Sequence, residues 1–257
     1  MLNSTSRRAL RLLSSLELGR NALLFYDNDK TMERFLFDYV KTGLQRGENV
    51  LYFAGIRSVK EAEKKMSSYG IDCDYYKRNA MLQFTTYDEM FLVGGRLDLS
   101  NCHKKLFNMT NGTAGGKMRL ATESNWWLLS DVFENALDME ATHDMLPRVM
   151  SVVCSYNIAD LMKYVSIYHL ARLMELHNDT ILETKGSTML SVEFYSYLGK
   201  CILDVLEEDF DYIAIVRKKH SRFISEMLTE LQMRIGSDMP ELERNVEEKL
   251  GHKLRLN

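Results

Sequence analysis

A chain of 257 residues with 46% hydrophobic and 27% charged side chains has ordinary globular composition, which excludes intrinsic disorder. Its formal net charge of -3 excludes the broad basic surplus of a nucleic-acid binder, and no apolar run reaches the roughly 18 residues of a membrane span. The four cysteines, Cys73, Cys102, Cys154 and Cys201, form no CxxC pair. That spacing predicts a reduced, cytoplasmic protein with no disulfide framework, no metal site and no cofactor.

Residues 1–17 read as a lead-in helix; Arg7, Arg8 and Arg11 precede an apolar run too short for a signal peptide, which Glu17 then interrupts. Asn21–Tyr26 is a short apolar strand, and Asp27-Asn28-Asp29 supplies turn and N-cap chemistry. Lys30 to Gln45 has helical spacing, with Met32, Phe35, Leu36, Tyr39, Val40 and Leu44 on one face. Asn49–Ala54 is the next strand, and Ser58 to Tyr69 the next helix, stopped at Gly70. Ile71–Asp74 and Met81–Thr86 read as strands, and residues 88–113 as mostly helical with a loop near Gly94-Gly95. After the loop GTAGGK come the strand Met118–Glu123, a helix, the strand Val149–Asn157 and a helix to about His177.

The β/α alternation with near-continuous apolar strands predicts a three-layer α/β fold around a mainly parallel sheet. Thr184–Leu190 reads as a strand or linker. The character then becomes helical, so residues 18–185 form the α/β domain and 190–257 a helical output or dimerisation segment. In that segment the basic run Arg217-Lys218-Lys219-His220-Ser221-Arg222 is flanked by acids and reads as a solvated helix face.

Ligands in open α/β sheets settle outside the carboxyl ends of the strands. Two strands here end abruptly in polar residues: one in Glu123, Ser124 and Asn125, the other in Cys154, Ser155, Tyr156 and Asn157. Glu123 suits a hydrogen-bond acceptor for a ligand, a general base, a metal ligand or a helix-terminal charge. Trp126 and Trp127 divide between core and pocket rim. Cys154 suits a buried structural thiol or a ligand-facing or redox-sensing one, while His169 reads as a core or interface histidine and Glu140 as a solvated or N-cap-bonding carboxylate. At the first turn, Lys30-Thr31 copies the end of a phosphate-binding loop, but the turn has no glycine and two acids stand where phosphate would approach.

Taken together, FYDN, GLQRGENVLYFA, RLATESNWW, the helix with Glu140, VVCSYN and YHLARLMELH resemble the DcmR-type sensory domain, abbreviated MEDS. The resemblance covers roughly residues 18–180. It implies a RecA/KaiC-like fold without a working phosphate loop, and a cytoplasmic prokaryotic sensor of simple small molecules such as one-carbon or hydrocarbon derivatives. It also places Glu123, Cys154 and Tyr156 at positions the family keeps polar or reactive. Family members commonly begin the first strand with a histidine, where this chain has Asn21. That substitution counts against a mechanism pairing that histidine with the cysteine, for instance through a metal.

The leading reading is therefore a non-enzymatic signalling sensor. Its ligand residues are Glu123, Cys154 and Tyr156, with Asp27 and Trp126 at the rim. Its partners are a small molecule and either a signalling protein or a second copy docked on the C-terminal helices, with no membrane or nucleic acid. The alternatives are an ATP-binding relative using Lys30 and Thr31, and an interaction scaffold without a ligand.

Overall fold

A computed structural model of the chain describes residues 4–55, 57–111, 117–129, 133–140, 150–164, 167–184 and 187–192. The helical segment expected over 190–257 lies outside these residues apart from its first three.

Among the described residues, seven strands form the main sheet: β1 (Asn21–Tyr26), β2 (Asn49–Ala54), β3 (Leu82–Thr86), β6 (Met118–Glu123), β7 (Met150–Asn157), β8 (Asp179–Thr184) and β9 (Ser187–Val192). Their order is β3-β2-β6-β7-β1-β8-β9, and only the β8–β9 pair is antiparallel. The three-layer, mainly parallel expectation holds. The chain leaves β1 for β2 and β3 on one side, returns through β6 and β7, and crosses to β8 on the other side of β1. This reversal opens a crevice at the carboxyl ends of β1 and β7.

Side chains alternate across the sheet and divide the core in two. Ala22, Leu24, Tyr26, Val50, Tyr52, Ala54, Ala121 and Val153 pack with α1 (Ser4–Ser14), α2 (Asp29–Gln45), α3 (Val59–Ser68) and α4 (Cys73–Arg78). The intervening residues Phe53, Leu120, Thr122, Val152 and Cys154 meet α5 (Tyr87–Phe91), α6 (Leu99–Asn111), α7 (Asn125–Leu129) and α8 (Phe133–Glu140) on the opposite face. The remaining helices, α9 (Ile158–Tyr164) and α10 (Ile167–Glu175), follow β7.

Helix starts follow their caps. The side chains of Asn28, Ser58 and Asp72 accept from backbone amides at the starts of α2, α3 and α4. The Asp72 cap explains why residues 71–74, expected as a strand, instead begin α4. Thr86 and Glu89 form a reciprocal capping box that starts α5. The loop expected near Gly94-Gly95 within residues 88–113 is the turn of a two-strand hairpin, β4 (Leu92–Val93) and β5 (Arg96–Leu97), which places these glycines at φ +57° and +77°.

One buried cation joins the layers of the first face. Arg119, on β6, is 1% exposed. It pairs with Glu48 and donates to the carbonyls of Tyr39 (3.2 Å) and Ser14 (3.0 Å), its guanidinium lying 4.6 Å from the Tyr39 ring centroid. The end of α1 is thereby tied to α2 and β6. Arg119→Met strands the Glu48 carboxylate and both carbonyls, and is expected to cost about 3–5 kcal/mol in urea denaturation. A loss under about 1 kcal/mol would show that the pair does not hold the layers together.

Candidate functional site

The strand ends carry two separate recesses, one on each side of β6. The crevice at the β1/β7 reversal is a cleft of about 270 Å³ lined by Tyr26, Asp29, Met32, Arg57, Glu61, Glu123, Asn125, Asn157 and Asp160. Glu123 is its best-held group. It accepts from Tyr52 Oη at 2.5 Å and from the Gly55 amide at 3.2 Å, and pairs with Arg57 Nε at 2.9 Å. Arg57 also reaches Glu33 at 2.7 Å and Asp29 at 3.7 Å. Gly55 is required by proximity: a Cβ there would fall 2.2 Å from the Glu123 carbonyl oxygen. Burial pushes the Glu123 carboxyl above its ordinary value, while Arg57, Tyr52 and Gly55 draw it back. Asn125 links the tips of β6 and β7 by accepting from the Asn157 amide at 2.7 Å and donating to Asp160 at 2.9 Å.

On the opposite face, a small cavity of about 30 Å³ lies among Phe53, Tyr87, Phe91, Cys102, Leu106, Leu120, Thr122, Ser124, Trp127, Met139, Glu140, Val152 and Cys154. Aromatic rings close one side: Tyr87 stacks on Trp126 at 5.1 Å, and Trp127 meets Phe91 edge-on at 4.8 Å. The polar wall is built around Glu140, which is 4% exposed. Tyr156 Oη donates to its Oε1 at 3.1 Å and the Cys154 thiol to its Oε2 at 3.4 Å. His177 Nε2 stands 3.5 Å from the same Oε2. Burial pushes the Glu140 carboxyl up to about 7, with the thiol and phenol holding it from going higher. Burial lowers His177 to about 4 and raises the Cys154 thiol well above its usual value. Glu140, Cys154 and His177 each offer a metal-ligating atom, and these three atoms lie within 4.8 Å of one another.

The structure thus separates the expected site residues. Cys154 and Tyr156 meet on Glu140, whereas Glu123 points to the cleft on the other face. Trp126 is half-buried, with its indole N–H donating to Asp88 at 3.1 Å beside the aromatic wall. Asp27 accepts from the Asn28 side chain, and Asp29 is the turn acid that lines the cleft. Lys30 is exposed, and the Thr31 amide is taken by the Asn28 cap.

Three participants escaped the sequence reading. Glu140 was expected in solvent and is buried; the polar spacing of its helix carries no sign of the thiol and phenol that meet it. His177 closes the motif YHLARLMELH, in which the sequence reading gave it no role, whereas His169, expected in the core or at an interface, is half-buried. Asn21 explains the placement of His177: its side chain donates to Leu176 O at 2.8 Å and accepts from the Asn178 amide at 2.9 Å, clamping the backbone on both sides of the histidine. Arg57 sits in a loop whose sequence gave no reason to join it to Glu123.

Residues 22–178 match the family described as MEDS, the MEthanogen/methylotroph, DcmR Sensory domain. The chain belongs to the MEDS family. Among solved structures, it is similar to a KaiC-like protein from the hyperthermophilic archaeon Pyrococcus horikoshii OT3. The two are 14% identical with a TM-score of 0.50, over 68% of this chain and 79% of that one. At that identity the similarity shows the fold alone. No curated protein matches the sequence.

Removing Arg57 tests the electrostatics of the cleft. In Arg57→Met the Glu123 carboxyl rises further above its unfolded value, so the native state keeps a proton that the unfolded chain has released. Stability then falls as pH climbs past the unfolded pKa. Urea denaturation is expected to show a loss of about 3–5 kcal/mol at about pH 8 and a smaller one at about pH 5. Equal losses at both pH values would refute the charge account.

Proposed function

We propose that this MEDS chain is a non-enzymatic signalling sensor that takes a small neutral molecule into the cavity bounded by Cys154 and Glu140. The carrying observation is that cavity: apolar on most sides, with a carboxyl, a thiol and the hydroxyls of Tyr87, Thr122 and Ser124 on its wall. Room for a water needs about 10–15 Å³ on the same measure, so the cavity fits about two non-hydrogen atoms. That size selects one-carbon derivatives such as methanol, and the apolar wall disfavours ions. Glu140 and Cys154 read the ligand's polar end, Tyr156 acts through its hydrogen bond to Glu140, and Trp127 meets the apolar side. Occupancy favours one arrangement of the segment that follows β9, which passes the state to a partner or a second copy. The change is limited to the ligand's differential affinity for the two arrangements.

Support for the nucleotide reading is weaker. The turn after β1 has no glycine, Asp29 lines the cleft, and the Thr31 amide is already bonded to Asn28. The acids there oppose phosphate. The scaffold reading is disfavoured by the cavity itself. No described helix is long and apolar enough to cross a membrane, which agrees with a cytoplasmic location.

Both tryptophans of the chain stand at this wall, so intrinsic fluorescence reports on it directly. Methanol titration is expected to shift the emission saturably, and Val152→Phe, which fills the cavity, to weaken the response at least tenfold while the melt stays cooperative. A linear response, or an undiminished one in Val152→Phe, overturns the reading. Calorimetry with Mg-ATP is expected to show no binding. Micromolar affinity lost on Lys30→Ala would establish the nucleotide alternative instead.

A further inference from the structure

We infer that Glu140, Cys154 and His177 form a binding site for a divalent transition-metal ion of the zinc class, with the cavity as its open side. This goes beyond the sensor reading, although any role of the ion in ligand recognition rests on that reading. The three residues come from different parts of the fold: the end of α8, the middle of β7 and the turn after α10. All are buried.

Geometry carries the inference. His177 Nδ1 is 2.7 Å from the Leu173 carbonyl, which can only accept, so Nδ1 holds the proton and Nε2 presents a lone pair. That lone pair faces Glu140 Oε2, a second acceptor, at 3.5 Å, and Cys154 Sγ stands 3.4 Å from the same oxygen. Tetrahedral zinc, with bonds of about 2.0–2.1 Å to N, 2.0–2.2 Å to O and 2.3 Å to S, separates N from O by about 3.4 Å and S from O by about 3.6 Å. The observed separations match both. The imidazole is also oriented as ligating histidines are, its second nitrogen donating to a backbone carbonyl. A mixed N, O and S set is the chemistry of borderline ions, not of calcium or magnesium. Three protein ligands beside a cavity leave a fourth position for water or a small ligand, as in open zinc sites. Carboxylate and thiolate offset the ion's two charges, which makes its burial tolerable.

Binding replaces the Cys154 S–H bond with a metal–sulfur bond, and the proton leaves to solvent. Without an ion, a proton shared between Glu140 and His177 would bridge the two acceptors, and the experiment separates these cases. The reduced full chain, stripped with chelator, is titrated with cobalt(II). One equivalent is expected to produce a thiolate-to-cobalt charge-transfer band, which zinc displaces. The band persists in Cys73→Ser and Cys102→Ser, disappears in Cys154→Ser, and needs at least tenfold more cobalt in His177→Gln.

Should Cys154→Ser fail to fold, the unmodified chain still decides: zinc raises its melting temperature and chelator reverses the gain. Absence of the band, or its survival in Cys154→Ser, overturns the site. A methanol response in metal-free protein that zinc and cobalt leave unchanged, with no charge-transfer band, refutes this inference and spares the sensor reading. Stoichiometric cobalt without any methanol response does the reverse.

Discussion

Two parallel strands lying side by side in the middle of a sheet must send successive residues to opposite faces, and the arrangement of β6 and β7 follows from that alternation. Thr122 stands beside Cys154, and Glu123 beside Ser155, in the paired register. The first pair opens to the cavity under α5 to α8. Glu123 turns to the cleft beside α2. Polar tips that are neighbours in sequence therefore belong to two recesses, and the sheet itself is the wall between them.

Each recess holds a buried carboxylate, and the two are satisfied in different ways. Glu123 has a cation, Arg57, together with a phenol and a backbone amide. It is a closed arrangement, and the acids around it oppose an anion in the cleft. Glu140 has uncharged donors, a thiol and a phenol, with a neutral imidazole across from it. Burial lifts that carboxyl to about 7, and the thiol and phenol draw it back. The carboxylate paired with Arg57 lines the cleft, and the one bonded by the thiol and the phenol borders the cavity.

Much of the fold was legible in local pattern. Asn21–Tyr26, Asn49–Ala54 and Met118–Glu123 are strands with the bounds their apolar runs predict, because a strand covered on both faces is apolar at nearly every position. Residues 71–74 were misread, since a short apolar stretch does not reveal whether Asp72 will cap a helix. β8, carrying Asp179 and Thr184 at its ends, was hidden for a related reason. Its polar residues are admitted by partners distant in sequence, such as Arg20, which pairs with Asp179 at 3.1 Å.

The sequence by itself determined the layer architecture and the family, and set Cys154 and Tyr156 on one polar strand end, because strand runs and their polar ends are local properties of the chain. Only the tertiary structure decided that Glu123 faces away from them and that Glu140 and His177 join them. Those facts depend on the parity of a strand, the docking of α8 and the clamp that Asn21 places around His177. None of these leaves a periodic trace in sequence. Burial is a property of what packs over a residue, and a glutamate on an amphipathic-looking helix reads the same in solvent or in a core.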